Sequence, residues 1–169
     1  MITTEKITPH LWFDRQAEEA AKYYCSIFKD SEIVAVNHYT DEGFEIHKMP
    51  AGTVLTVEFL LEGQRFVALN GGPIFKFNES ISFMINCQTQ DEIDSYWDKL
   101  TPGGDPAAQQ CGWLKDRFGV SWQVAPVQLR DMMLDKDQKR FNRVMSAMLK
   151  MKKLDLEKLE AAYHGKVLA

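Results

Sequence analysis

The feature that most constrains this chain is that its apolar pattern runs twice. Ile7–Phe13 reads as a strand, with Ile7, Pro9, Leu11 and Phe13 on one face and Thr8, His10 and Trp12 on the other. Asp14 then reads as the cap of a helix in which Ala17, Ala20, Ala21, Tyr24, Ile27 and Phe28 recur at helical spacing. Ile33–Tyr39 is a second strand and Asp41–Gly52 a polar loop. Thr53–Leu61 and Gln64–Asn70 form a hairpin across Glu62-Gly63. After the break at Gly71-Gly72-Pro73 the order starts again. Ile81–Cys87 is a strand, and Thr89-Gln90-Asp91-Glu92 is a capping box before a helix striped by Ile93, Tyr96, Trp97 and Leu100. A weak strand at Ala107–Cys111 and a hairpin over Trp113–Pro126 complete the second copy. Asp14 and Thr89 stand 75 positions apart. Both halves read strand, helix, strand, hairpin, which predicts a duplicated α+β unit. A repeat outranks any single motif in fixing a fold.

The closing hairpin divides its residues between two faces. Val120, Trp122 and Val124 alternate with Ser121, Gln123 and Ala125. The apolar set needs a helix over it. The set with Ser121 and Gln123 is polar within an otherwise buried strand, so it is expected to line a cavity. Beyond Pro126 the pattern turns helical: Val127–Met133, then Asp137–Met151 with a stripe of Phe141, Val144, Met145, Met148 and Met151. A last helix is capped by Asp155 and ended by Gly165.

Charge and cysteine usage narrow the setting. A net charge of −4 argues against nucleic acid or an anionic membrane as partner. No apolar run approaches spanning length, and MITTEKITPH lacks the apolar segment of a signal peptide. Cys25, Cys87 and Cys111 are odd in number and widely spaced, as expected of reduced thiols in the cytoplasm. Zinc-ligand spacing and a CxxC pair are both missing.

Two β-α-β-β-β units closing in D-x-x-G-x-x-W-x-V (Asp116, Gly119, Trp122 and Val124) resemble the vicinal-oxygen-chelate superfamily. The likeness is closer to its PhnB-like branch, labelled 3-demethylubiquinone 3-methyltransferase-like. It rests on ITPHLWFDRQAEEAAKYY, PAGTVLTVEFLLEGQRFVALNGGP, FKFNESISF and GGDPAAQQCGWLKDRFGVSWQVAP, and extends into MLKMKKLDLEKLEAAY. The resemblance implies a glyoxalase/dihydroxybiphenyl dioxygenase-like fold. Paired units at about 5–72 and 78–126 would form one domain over 1–126, followed by a helical extension over 127–169. It also implies a homodimer, for which the stripe from Phe141 to Met151 offers apolar surface.

In metal-using members of the superfamily, the first and last strands of each unit supply the ligands. Carried over strand by strand, those positions are Thr8 or His10, Asn70, Ser80 or Ser82, and Gln123. Apart from His10 these are neutral oxygens and amides, which do not replace the usual His and carboxylate donors. The expectation is therefore a small-molecule binder without metal or cofactor. Two alternatives stand beside it. One is a metal-dependent lyase or dioxygenase using His10 with Glu45 or Glu58. The other is the methyltransferase of the label. For the latter the glycine-rich nucleotide turn is missing, since Gly71-Gly72 and Gly103-Gly104 are turn glycines.

The candidate ligand-binding residues are His10, Trp12, Asn70, Trp113, Ser121, Gln123 and His47. His10 and Trp12 share a strand face, where His10 is either a ligand contact or a satisfied buried histidine. Trp12 and Trp113 are suited to stacking on a flat ligand, whereas Trp97 and Trp122 fall on helix-packing positions. Asn70 and Gln123 suit a ligand's oxygen or amide, or else bond each other or the opposite sheet. His47, near Glu45, sits in the long loop as a lid residue or a solvated one.

Overall fold

The computed structural model describes residues 6–166. The ends of the expected domains at residues 1–5 and 167–169, and the first half of the stretch MITTEKITPH, lie outside the described residues. The chain forms two compact units that part between Lys76 and Phe77.

The first unit is β1 (His10–Phe13), α1 (Ala17–Ile27), β2 (Glu32–His38), a one-turn α2 (Phe44–His47), β3 (Val54–Leu61) and β4 (Gln64–Asn70). The strands form one sheet in the order β1-β4-β3-β2, with β1 parallel to β4 and the other pairs antiparallel. The β1 ladder begins later than the pattern predicts because Pro9 has no N–H, although its carbonyl still accepts from Val67 at 3.0 Å. The β3–β4 turn places Glu62 and Gly63 at φ 49° and 80°, the left-handed pair that suits a two-residue hairpin. Alternation then sorts the side chains. Leu11, Phe13, Val57, Phe59, Phe66 and Ala68 are buried beneath Ala17, Ala20, Ala21, Tyr24 and Ile27 of α1.

One local signal is overruled. Asp14 does not cap α1; the N-cap position is Gln16, which makes no side-chain cap bond. The Ala17 amide instead donates to Oδ1 of Asn70 at 2.9 Å, so the cap comes from β4, 53 residues away. The Asp41–Gly52 segment is more ordered than a polar loop, with α2 at its centre. Its neck is closed by Tyr39 and Thr53, whose N–H and carbonyl lie 2.8 Å apart.

The second unit contains β5 (Phe83–Cys87), α3 (Gln90–Leu100), β6 (Trp113–Lys115), β7 (Ser121–Pro126), α4 (Val127–Leu134), α5 (Gln138–Met148) and α6 (Leu156–His164). Its sheet order is β5-β7-β6, with β5 parallel to β7. This repeats the first unit with β1, β4 and β3 replaced by β5, β7 and β6. The architecture is that of tandem βαβββ units, and the edge strand of the second is vestigial. The strand expected at Ala107–Cys111 is a 3-10 turn, Pro106–Ala108, followed by a single bridge from Gln110 to Trp113. Pro106 cannot donate to a ladder, and Asp105 caps the Ala107 amide at 2.9 Å. The backbone beside it is satisfied by the C-terminal segment instead. The Cys111 and Gly112 amides donate to the carbonyls of Met151 and Lys152 at 2.8 and 2.7 Å.

Ile93, Trp97 and Leu100 of α3 are buried with Ile85, Cys87, Leu114, Val120, Trp122 and Val124 of the sheet. The Thr89 cap forms as expected, but Glu92 reaches one residue further back and accepts from the Gln88 amide at 2.7 Å. Ala125 of β7 shares a second core with Met132, Val144, Leu154 and Leu159 of the C-terminal helices. Gln90 fastens those helices to α3: Nε2 donates to the Leu154 carbonyl and Oε1 accepts from the Leu156 amide at 2.8 Å. Among the described residues no helix is long and apolar enough to cross a membrane.

Candidate functional site

Each sheet has one face under its helix and one face free of it, and the free faces carry the polar strand residues. In the first unit His10 pairs with Val67 and Trp12 with Leu69, while Val67 and Leu69 pair with Glu58 and Thr56. The free face therefore presents the rows His10–Val67–Glu58 and Trp12–Leu69–Thr56, with Arg65 two residues before Val67. His10 is exposed rather than buried.

Trp12 is held firmly. Its Nε1 donates to the Gly72 carbonyl at 2.8 Å, and Phe75 meets its ring edge-on at 4.9 Å between centroids. The indole also lies against Gly71, where a Cβ would fall 2.2 Å from the ring. Arg65 and Glu58 are joined by an ion pair through Nη1 and Oε1, with about two-thirds of each side chain buried (31% and 33% exposed).

Asn70 lies on the other side of the sheet. It alternates with Leu69, so its side chain joins Ala68 and Phe66 on the helix face. Its Oδ1 accepts from Ala17 and its Nδ2 donates to the Val54 carbonyl at 3.0 Å, so the amide is engaged within the unit. The reason is strand parity together with an uncapped helix start.

His47 is exposed in α2, yet both ring nitrogens are used: Nε2 donates to the Glu42 carbonyl and Nδ1 accepts from the Met49 amide, each at 3.0 Å. The ring packs at a tilt of 39° against Tyr39, 4.5 Å between centroids, and the Tyr39 hydroxyl donates to the Asn70 carbonyl. Glu45 pairs with Lys48 at 2.6 Å and does not meet His10.

In the second unit Trp113 stands directly across from Gln123, and Lys115 across from Ser121. Gln123 also pairs with Met84. These residues share the free face, while Trp122 and Trp97 are core residues beneath α3. Gln123 Nε2 donates to the Ser82 hydroxyl at 2.9 Å. Ser121 is buried, with its hydroxyl 3.5 Å from the Asn78 carbonyl. Lys115 makes an ion pair with Glu79, in which only 21% of the lysine side chain is exposed. That hydrogen bond holds the Glu79 carboxyl below its ordinary range.

Arg65 and Lys115 were not singled out by the sequence reading. The signal was there, since each is a base at the free-face parity of its strand, in line with Val67 and Leu69 for Arg65 and with Trp113 for Lys115. Ser80 is exposed and bonded to Asn78 rather than to any residue of the face. Two grooves lie elsewhere in the second unit. One, of about 750 Å³, runs between Gln90 and Asp94 of α3 and the segment from Lys150 to Glu160. The other, of about 570 Å³, is lined by Asn86 and the start of α4. Neither contains a residue of the free faces except Asn86. The cysteines are free thiols, and burial pushes the Cys87 thiol up to about 12.

Comparison with known proteins adds a family. The model described as 3-demethylubiquinone-9 3-methyltransferase matches residues 5–125. A solved structure from Bacillus cereus, described as a putative 3-demethylubiquinone-9 3-methyltransferase and PhnB protein, is 36% identical. It covers 72% of this chain and 99% of its own, with a TM-score of 0.61. Protein PA1353 from Pseudomonas aeruginosa is 20% identical over 73% of this chain and 98% of its own, with a TM-score of 0.54. The fosfomycin resistance protein FosX from Listeria monocytogenes is 13% identical over 74% of this chain and 94% of its own, with a TM-score of 0.45. No curated protein matches the chain.

Proposed function

The chain belongs to the 3-demethylubiquinone-9 3-methyltransferase family, and from that premise we propose that it is a PhnB-like member of the glyoxalase and vicinal-oxygen-chelate superfamily that binds a small, partly aromatic molecule without a metal. The observation that carries this reading is the free face of each sheet. Trp12 and Trp113 offer flat apolar surface there, beside His10 in one unit and Ser121 and Gln123 in the other. Side chains with this mixture suit a ligand with an aromatic body and a few polar atoms.

The donor set argues against a resident ion. Of the positions that the resemblance assigns to metal ligands, Asn70 faces the helix with Oδ1 taken by the Ala17 amide, and Gln123 donates through Nε2 to the Ser82 hydroxyl. Neutral amides and hydroxyls bring no charge to offset dehydration of a divalent ion. Glu58, the carboxylate nearest to His10 in the register, is paired with Arg65. Nor does the fold suit a nucleotide-binding methyltransferase, because both sheets are mixed and the β1–α1 turn is Asp14-Arg15-Gln16.

Elemental analysis of protein purified without chelator or affinity tag tests the first point. Near-stoichiometric zinc, nickel, iron or manganese, lost in His10→Ala, overturns the metal-free reading and favours a lyase or dioxygenase. Calorimetric binding of S-adenosylmethionine at micromolar affinity favours the methyltransferase. Native mass spectrometry of the fresh protein looks for the co-purified ligand itself.

The working form in this proposal is a cytoplasmic homodimer with no nucleic-acid or membrane partner. Its support is α5, where Met148 packs against the C-terminal core but Phe141 and Met145 stay half-exposed in line with the exposed Leu149. A monomer by sedimentation at micromolar concentration overturns it.

A further inference from the structure

From the charge on each free face, taken by itself, we infer the class of ligand: an organic anion, held through its oxyanion by Arg65 where it binds the first face and by Lys115 where it binds the second. This rests on the reading of those faces as ligand-binding. Bases are costly at such positions, because a half-buried charge loses water and needs a partner in return. Each has been given one carboxylate. Arg65 uses Nη1 toward Glu58, and Lys115 uses Nζ toward Glu79.

Neither carboxylate exhausts its base. A guanidinium has five N–H donors and an ammonium three. Among the described residues Arg65 and Lys115 have no other side-chain partner. The surplus donors are therefore available to a second acceptor on the same face. In the second pair the acid is far more exposed than the base, 57% against 21%, so the lysine is the fixed member and the glutamate the replaceable one. The chain as a whole is acidic, so no general field draws anions to it. The attraction is confined to these two points.

Neighbouring residues agree with an anion attached to an aromatic body. Trp113 is two residues from Lys115 on the same strand face, and His10 and Trp12 share the face of Arg65. The guanidinium's planar fork matches a carboxylate or phosphate in a way that a neutral ligand does not use.

The test compares two fluorescent probes of the same shape, 8-anilino-1-naphthalenesulfonate and its uncharged analogue N-phenyl-1-naphthylamine. The intact protein is expected to bind the sulfonate the more tightly of the two. Arg65→Gln should weaken sulfonate binding at the first face about tenfold and Lys115→Gln that at the second, each leaving the uncharged probe unchanged, about what one charged hydrogen bond is worth. Arg65→Lys should retain part of the affinity. Glu58→Gln, which removes the competing acid, should tighten it. Retained binding of the uncharged probe shows that a variant is folded. Displacement of the sulfonate by benzoate or by phenyl phosphate supports the inference and separates carboxylate from phosphate ligands; displacement by neither overturns it. Equal binding of both probes, or sulfonate binding indifferent to Arg65→Gln and Lys115→Gln, overturns the anion inference alone. Failure of both probes to bind overturns it together with the ligand-binding reading.

Discussion

Oδ2 of Asp116 accepts a hydrogen bond from the indole nitrogen of Trp122 at 2.8 Å, in the interior of the second unit. Its other oxygen accepts from the amides of Phe118 and Val120 at 2.9 and 3.0 Å. One buried carboxylate thus closes the β6–β7 turn and fixes the ring of the strand that follows. The spacing D-x-x-G-x-x-W-x-V has a mechanical meaning: the acid at its first position serves donors two, four and six residues on. Asp116→Ala is expected to cost about 3 kcal/mol by removing the acceptor of three donors, two of them buried. Trp122→Phe removes the indole donor to Asp116 and part of the buried ring, and should also destabilise. Urea denaturation measures both, and an Asp116→Ala midpoint equal to the parent's refutes the account.

Asn70→Ala is expected to lower stability by about 1–2 kcal/mol, because it removes the cap of α1 and the bond to Val54. Ligand affinity should be little changed. Gln123→Ala should do the reverse, with lower affinity and a near-parental midpoint. Denaturation and ligand titration of the two variants together decide which amide belongs to the free face.

Gly71→Ala should move Trp12 without unfolding the unit. The new methyl would overlap the indole, which is a side chain able to swing aside, so the cost is about 1–3 kcal/mol. The displaced ring loses its bond to Gly72 and its contact with Phe75. A changed tryptophan emission, with weaker binding of the aromatic probe, is the expected result. A crystal structure of the variant with Trp12 unmoved would contradict it.

Acid should loosen the C-terminal helices. A hydrogen bond from Lys153 holds the Asp94 carboxyl below its ordinary 3.8, and the Tyr163 hydroxyl does the same for Asp135. A depressed folded value means stability that is present above 3.8 and lost as pH falls through that folded value. The Asp94 side chain is 42% exposed and Asp135 is more enclosed, at 18%, so solvent screens the first more than the second. The doubly substituted Asp94→Asn, Asp135→Asn protein should show a flatter dependence of stability on pH below about 4 than the parent. Parallel curves refute it.

The tandem βαβββ plan was legible in the sequence because it depends on local periods. Alternation in Gln64–Asn70, helical spacing from Ala17 to Ile27 and the turn at Glu62-Gly63 each follow from forces acting over a few residues. The buried ranks of Trp97 and Trp122 came from the same periodicity. Tertiary structure decided what distance brings together. Asp14 looked like a cap, but the amide of Ala17 met Asn70 first, a partner no local window contains. That choice fixed the side of the sheet on which Asn70 works. The edge strand at Ala107–Cys111 gave way because Pro106 cannot pair and the chain near Met151 returned to satisfy the adjacent amides. Arg65 and Lys115 read as ordinary strand charges until the sheets showed each of them two-thirds or more buried against a carboxylate. Period is written in neighbours along the chain, whereas capping, pairing and desolvation depend on which atoms meet once it is folded.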